Sequence, residues 1–261
     1  MSEGERLPAS RPWRIIFMGT PEFAVPCLQS LLEGPDQVVA VVAQPDRPAG
    51  RGHKLHSPPT VQLARQHDIP VLQPTKVRTA EFPQALAALQ PDLMVVVAYG
   101  RILTEAVLTV PPHGCLNVHG SLLPRYRGAS PIQWAILRGE TDTGVTTMNM
   151  DAGLDTGAMY LKRSVEIPPR ATAGDLHALL APVGAELLMR TIAGLKAGTV
   201  LPTPQHSADA TLAPILRKED GLVSWARPAR EIDWHIRGMS PWPGAYTFLN
   251  GRRVVLLEGT P

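Results

Sequence analysis

The residues able to do chemistry in this chain gather in two short stretches. Leu116-Asn117-Val118-His119-Gly120-Ser121-Leu122-Leu123-Pro124 ends an apolar run with an amide and an imidazole, and Gly153-Leu154-Asp155-Thr156-Gly157 brings a carboxylate in a glycine-flanked turn. Alternate residues of a strand point to one face, so Asn117 and His119 address the same cleft if a strand ends there. An amide donor and an imidazole that titrates near neutrality can hold a developing oxyanion and relay a proton. An Asp brought alongside would orient the imidazole or accept the proton. No Ser or Cys is placed to form a covalent intermediate. A lone Asn-x-His is more often structural than catalytic, but the proline-ended loop and the glycine-framed Asp155 favour chemistry.

A resemblance sharpens this. Asn117-Val-His-Gly-Ser-Leu-Leu-Pro-Arg-Tyr-Arg-Gly-Ala-Ser-Pro-Ile132, followed by Gly144-Val-Thr-Thr-Met148 and Met150-Asp-Ala-Gly-Leu-Asp-Thr-Gly157, resembles the signature of the formyltransferases that use 10-formyltetrahydrofolate. Gln44-Pro-Asp-Arg-Pro-Ala-Gly-Arg-Gly-His-Lys54 is similar to the first loop of the members that act on tRNA, and the stretches 69–74, 98–103 and 241–246 fit them too. The likeness runs from Trp13 to Leu257. It implies that Asn117, His119 and Asp155 are the catalytic trio and that Ser121, Leu122, Leu123 and Pro124 line the folate site. It implies further that the backbone around Gly100, Ile102 and Leu103, with Asp151, walls the pterin pocket. The implied reaction moves the formyl group of 10-formyltetrahydrofolate to the α-amine of initiator methionyl-tRNA, in a monomer, with no metal and no membrane. The alternative is an amino-sugar formyltransferase with a nucleotide-sugar acceptor. A folate-sensing or RNA-binding module without catalysis is a third reading, opposed by the intact trio.

The 44–54 loop bears on that choice. Arg47, Arg51 and Lys54 stand among Pro and Gly with only Asp46 opposing them. A flexible cationic loop beside a cleft suits an acceptor stem, because phosphates dominate affinity for RNA. An ordinary solvated loop has the same composition. Arg125 and Arg127, which flank the loop after His119, would meet a substrate phosphate or the folate's glutamate tail, or pair with nearby acids.

The elements that must position these residues follow from the apolar pattern. Strands are expected over 13–18, 38–43, 70–72, 93–97 and 115–118, and helices over 21–33, 58–67 and 79–90, with Thr20 as N-cap and Pro21 at the first helical position. Such alternation argues an α/β fold with a doubly wound, mostly parallel, Rossmann-like sheet, which binds ligands beyond the C-terminal strand ends. The Met18-Gly-Thr-Pro-Glu22 turn lacks G-x-G-x-x-G, so a dinucleotide has little support. A helix at 129–138 and strands at 143–150 and 157–166 follow. A long helix runs over 172–195, with Pro182 and Gly184 expected to break or kink it. The catalytic domain is placed at 1–202 and a polar, Pro-rich linker at 203–217. Residues 218–261 are read as an incomplete, β-barrel-like C-terminal domain. There a strand is expected at 221–225, a helix at 228–237, and a hairpin about Asn250-Gly251.

Composition sets the outer bounds. The 261 residues suffice for one large domain and a small one, and a formal charge of +2 does not announce nucleic acid, so RNA contacts must come from local clusters. Two isolated cysteines, Cys27 and Cys115, read as reduced core residues of a cytoplasmic protein. The acidic N-terminus does not read as a signal peptide. His53 and His56 lack a partner cluster, and there is no H-E-x-x-H or C-x-x-C motif.

Overall fold

The computed structural model describes residues 11–49 and 54–260. Seven strands form one sheet: β1 (Arg14–Gly19), β2 (Gln37–Val42), β5 (Val71–Leu72), β6 (Leu93–Val97), β7 (Cys115–His119), β8 (Asp142–Asn149) and β9 (Met159–Glu166), in the order β5-β2-β1-β6-β7-β8-β9. The first five pair in parallel, while β8 and β9 run antiparallel to their neighbours. The chain winds outward from β1 to β2 and β5, then returns to β6 and winds the other way. The switch point lies between β1 and β6.

Both faces of the parallel part of the sheet are covered, which is why β1, β2 and β6 are nearly continuous apolar runs. One face carries Ile15, Phe17, Val95, Leu116 and Val118 against α1 (Val25–Glu33), α2 (Pro59–Gln66) and α6 (Ala173–Lys196). The other carries Ile16, Met18, Met94, Val96 and Cys115 against α3 (Glu81–Ala87) and the one-turn α4 (Glu105–Leu108), which the apolar pattern did not reveal. Asn117 and His119 share the Cys115 face by strand alternation.

Helix α6 runs unbroken through Pro182, begun by a capping box in which Thr172 and Asp175 satisfy each other's backbone N–H. It is long and apolar enough to cross a membrane by length and composition alone. Here Leu176, Leu180, Ala185, Leu188 and Ile192 bury that apolar surface against the sheet.

Other expectations need correction. Thr20 does not cap a helix, because its hydroxyl donates to the Tyr99 carbonyl and accepts from the Gln44 N–H. A 3₁₀ turn at Glu22–Ala24 follows, and the α-helix starts at Val25, with Pro26 in its first turn, where a missing N–H costs nothing. The 44–54 segment is a short ribbon, β3 (Arg47–Ala49) paired with β4 (Lys54–His56), rather than a plain loop. Arg51 lies outside the described residues. Residues 221–225 are not a strand: a 3₁₀ turn at Lys218–Gly221 precedes them, Leu222 makes a single bridge to Tyr246, and the chain turns again at Ser224–Arg227.

The expected C-terminal hairpin is present as β10 (Ala245–Leu249) and β11 (Arg252–Leu256), with Asn250 and Gly251 both at positive φ, as a type I′ turn requires. It closes a small core of Leu216, Val223, Ile236, Met239 and Ala245 over α7 (Ala229–Gly238), and Trp134 and Leu137 of α5 (Pro131–Leu137) pack into that core. The C-terminal part thereby rests on the helix that follows the loop after His119.

Cys27 and Cys115 are buried, and burial pushes both thiols up to about 12. Since thiolate is the reactive form, neither should react with a disulfide reagent at pH 8 in the native protein, and both should react on unfolding in urea. Titration of a free thiol in the native state would contradict this packing.

Candidate active site

Strand β7 ends where the sheet changes direction, between parallel β6 and antiparallel β8. Asn117 lies opposite Met148, and His119 opposite Thr146. Both side chains are almost fully buried. Among the described residues, no protein hydrogen bond engages the Asn117 amide. His119 Nε2 lies 2.9 Å from the Tyr126 carbonyl. A carbonyl only accepts, so Nε2 carries the proton and Nδ1 is the nitrogen left for chemistry. Nδ1 faces Asp155 Oδ2 at 3.8 Å, an ion-pair separation beyond direct hydrogen-bond length.

Asp155 is held from several sides. Its backbone is left-handed, φ 51°, a conformation that Asp tolerates better than most residues. Its Oδ2 accepts the Gly128 N–H at 2.8 Å. Gly128 itself has φ 124°, and a Cβ there would sit 2.6 Å from the Ala213 carbonyl oxygen, so only glycine lets that N–H reach the carboxylate. Asp151 closes the start of the turn by accepting from the Gly153 N–H and the Thr156 hydroxyl.

The loop between His119 and Gly128 is clamped by buried polar groups. Thr146 Oγ1 donates to the Ser121 carbonyl and accepts from the Leu123 N–H. Lys162 Nζ donates to the Leu123 carbonyl, and Ser121 Oγ to the Arg125 carbonyl. The Tyr126 hydroxyl and Arg125 both donate to Glu140, and burial with that carboxylate pushes the Tyr126 phenol up to about 12. Arg127 is committed to Gln205, so neither arginine is free to meet a ligand without giving up a partner. The Leu123 side chain packs with Met148 and Met159, and Leu103 is buried with Tyr99 and Val107. Ser121 is buried, and Leu122 and Pro124 are half-buried.

Two clefts flank the 98–102 segment. One, of about 390 Å³, sits at the switch point, lined by Thr20 and Pro21 after β1, by Gln44 and Arg47 after β2, and by Tyr99 and Gly100 after β6. The other, of about 400 Å³, is lined by Thr75, Lys76, Val77, Arg78, Arg101 and Ile102. Ile102 is largely exposed between them, and Gln44 donates to the Gly100 carbonyl. The lining of neither includes the trio, which lies one strand further along the sheet. Arg47 is exposed and donates to Gln44 Oε1. Lys54 lies on β4. Among the described residues, no group of three or more His, Cys, Asp or Glu could hold a metal ion.

An Asn117 amide with no hydrogen-bond partner among the described residues, an imidazole fixed in one tautomer and a held carboxylate, one strand from a cleft, suit acyl transfer to an incoming nucleophile. Comparison with known proteins agrees. The formyl transferase family matches residues 13–192, and the formyl transferase C-terminal domain matches residues 215–261. Over 243 residues the chain is 58% identical to the methionyl-tRNA formyltransferase of Desulfotalea psychrophila, covering 93% of this chain and 75% of that relative. The chain therefore belongs to the formyl transferase family, in its methionyl-tRNA formyltransferase branch. Among solved structures, the N-formyltransferase of Helicobacter canadensis in complex with folinic acid and dTDP-3-aminofucose shares the fold, with a TM-score of 0.73 at 20% identity, covering 94% of this chain and 87% of that one. HypX of Aquifex aeolicus in complex with tetrahydrofolic acid does so at a TM-score of 0.67 and 18% identity, covering 94% of this chain and 37% of that one.

Residues missed by the sequence reading are Thr146, Lys162 and Gln205. The signal for Thr146 was its place in Gly144-Val-Thr-Thr-Met148, where a buried β-strand hydroxyl needs partners. Thr146→Val keeps the shape but orphans the Leu123 N–H and the Ser121 carbonyl. It should lower unfolding free energy in urea by roughly 1–3 kcal/mol and speed amide exchange at Leu123. Unchanged stability and exchange would mean the hydroxyl does not clamp the loop.

Proposed function

We propose that the protein transfers the formyl group of 10-formyltetrahydrofolate to the α-amine of initiator methionyl-tRNA, with Asn117, His119 and Asp155 as its catalytic residues. The observation that carries the reading is that His119 Nδ1 faces Asp155 Oδ2 at 3.8 Å, with Asn117 two residues earlier on the same strand face. The identity to tRNA-acting relatives supports the acceptor.

The neutral amine attacks the formyl carbon, and the carbonyl electrons move to oxygen. The Asn117 amide stabilises that oxyanion. The amine loses its proton through a water to Asp155, which also holds the imidazole in place. Asp155 hands that proton to His119 Nδ1, which starts without one; the tetrahedral intermediate then collapses with cleavage of the bond to the folate nitrogen, and Nδ1 gives that nitrogen the same proton. The products are formylmethionyl-tRNA and tetrahydrofolate. The folate is read as lying along Gly100–Leu103, the Ser121–Pro124 loop and the Asp151 turn. Arg47, Arg51 and Lys54 are read as meeting the acceptor stem.

His119→Ala and Asp155→Ala should each lower turnover by about 100- to 1,000-fold while tetrahydrofolate binding survives. The assay is formyl transfer to charged initiator tRNA, with uncharged tRNA and a dTDP-amino sugar as acceptors that stay unmodified. Near-normal turnover in either variant would remove that residue from the mechanism, and formylation of the sugar would redirect the acceptor. Arg47→Ala should weaken tRNA binding and reduce the slope of log affinity against log salt by about one unit, without changing folate affinity. An unchanged salt slope would take Arg47 off the phosphate path.

A further inference from the structure

The segment 203–213 lies beyond the residues matched to the formyl transferase family proper, yet it is sewn along the site rather than strung between domains. Thr203 exchanges two backbone hydrogen bonds with Met159. Thr211 accepts the Arg127 N–H on its carbonyl and the Tyr126 N–H on its hydroxyl, and Ala213 donates to the Arg127 carbonyl. Gln205 stands at the centre. Its Nε2 donates to the Asp155 carbonyl at 2.7 Å and to the Gly157 carbonyl at 2.8 Å. Its Oε1 accepts from Arg127 Nε at 3.0 Å and Nη2 at 2.7 Å. One amide thus uses both donor hydrogens and both acceptor sites, with no capacity left over.

We infer that Gln205 is a positioning residue: it fixes the turn bearing Asp155 against the loop that carries the Tyr126 carbonyl, and so sets the spacing between the Asp155 carboxylate and His119 Nδ1. This rests on the proposed role of Asp155. The geometry favours it over simple packing. Asp155 has left-handed backbone, which needs outside support to persist. The carbonyls that Gln205 holds are those of Asp155 itself and of Gly157, the glycine closing the turn. Gly157 cannot yield to a larger residue, since a Cβ there would fall 1.8 Å from the Asn149 carbonyl oxygen. Arg127 belongs to the same loop as Gly128, whose N–H binds Asp155 Oδ2. The carboxylate is therefore gripped twice, directly through Gly128 and indirectly through the Gln205–Arg127 pair.

Gln205→Glu is the discriminating variant. A carboxylate keeps both Arg127 bonds, so the strap stays attached, but it cannot donate to the Asp155 and Gly157 carbonyls. Gln205→Met removes all four bonds at similar volume. Gln205→Glu should lower kcat by about 10- to 100-fold, as expected for an ångström-scale misplacement of a reacting group. Its KM for 10-formyltetrahydrofolate should stay within about twofold of wild type, and its melting temperature should fall by a few degrees at most, the cost of two unpaired carbonyls. In an Asp155→Asn background, measured by single turnover, Gln205→Glu should cause no further loss, because the group it positions is already disabled. Wild-type kcat in Gln205→Glu overturns the inference. So does an equal, additive loss in the Asp155→Asn background, which would mark a merely structural role. Full activity in Asp155→Asn alone would instead sink the reading of Asp155 as catalytic, on which this inference stands.

Discussion

The hydrogen bond between His119 Nε2 and the Tyr126 carbonyl is the interaction on which the site's chemistry depends. It decides which ring nitrogen holds the proton in the neutral imidazole, and therefore which nitrogen can exchange one with a substrate. In the other tautomer the basic nitrogen would face a peptide oxygen, and the Asp155 side would meet an N–H that could orient but not accept. Because the ring is almost fully buried, neither tautomer can be rescued by solvent. The carbonyl must be placed by the loop, and Tyr126 reaches it only with left-handed backbone, φ 62°. That strain is supported by the Thr211 hydroxyl on its N–H and by Glu140 on its phenol. A long chain of polar contacts thus serves one proton position.

The sheet explains why the trio can meet at all. A wholly parallel sheet would send the chain after β7 through another helix and back, leaving the C-terminal strand end open to solvent. Here β8 turns back antiparallel beside β7, and its Thr146 clamps the very loop that leaves His119. The turn between β8 and β9 leaves the sheet beside the start of β7, where the Met150 N–H donates to the Cys115 carbonyl, and folds back to bring Asp155 to His119. Parallel strands build the cleft at the switch point, and the antiparallel pair builds the wall that carries the Asp155 carboxylate.

Much of this was legible in the residues. The alternation of apolar runs with amphipathic stretches placed five parallel strands, and Asn250-Gly251 marked the hairpin, because in both cases the local signal and the tertiary need coincide. Where they part, the reading failed. Thr20-Pro21 has the chemistry of a helix start, but tertiary hydrogen bonds from Thr20 to Tyr99 and Gln44 outbid it. Pro182 is a helix breaker in isolation, yet α6 keeps its path through burial against the sheet. Gly221–Trp225 looks like a strand by composition, but it has only one bridge to Tyr246 and no second neighbour, and a strand is defined by its partners.

The polar run 203–217 is the most instructive case. Pro, Gln, Ser and Asp between two domains read as a connection because nothing in that composition can bury a core. A segment need not bury apolar surface to be fixed, however. It can be fixed by exchanging backbone groups with strand ends and loops whose own groups would otherwise be left unpaired near the site. Tyr126, Arg127, Asp155, Gly157 and Met159 all present such groups, and none of these debts is visible until the strands are paired. Periodicity reports where a chain sheds water from its apolar face. It is blind to hydrogen bonds between irregular segments, and Asp155 is held by irregular segments. The C-terminal part, seated on α5, and the turn bearing Asp155 are therefore joined through a stretch that hydropathy alone would have left slack.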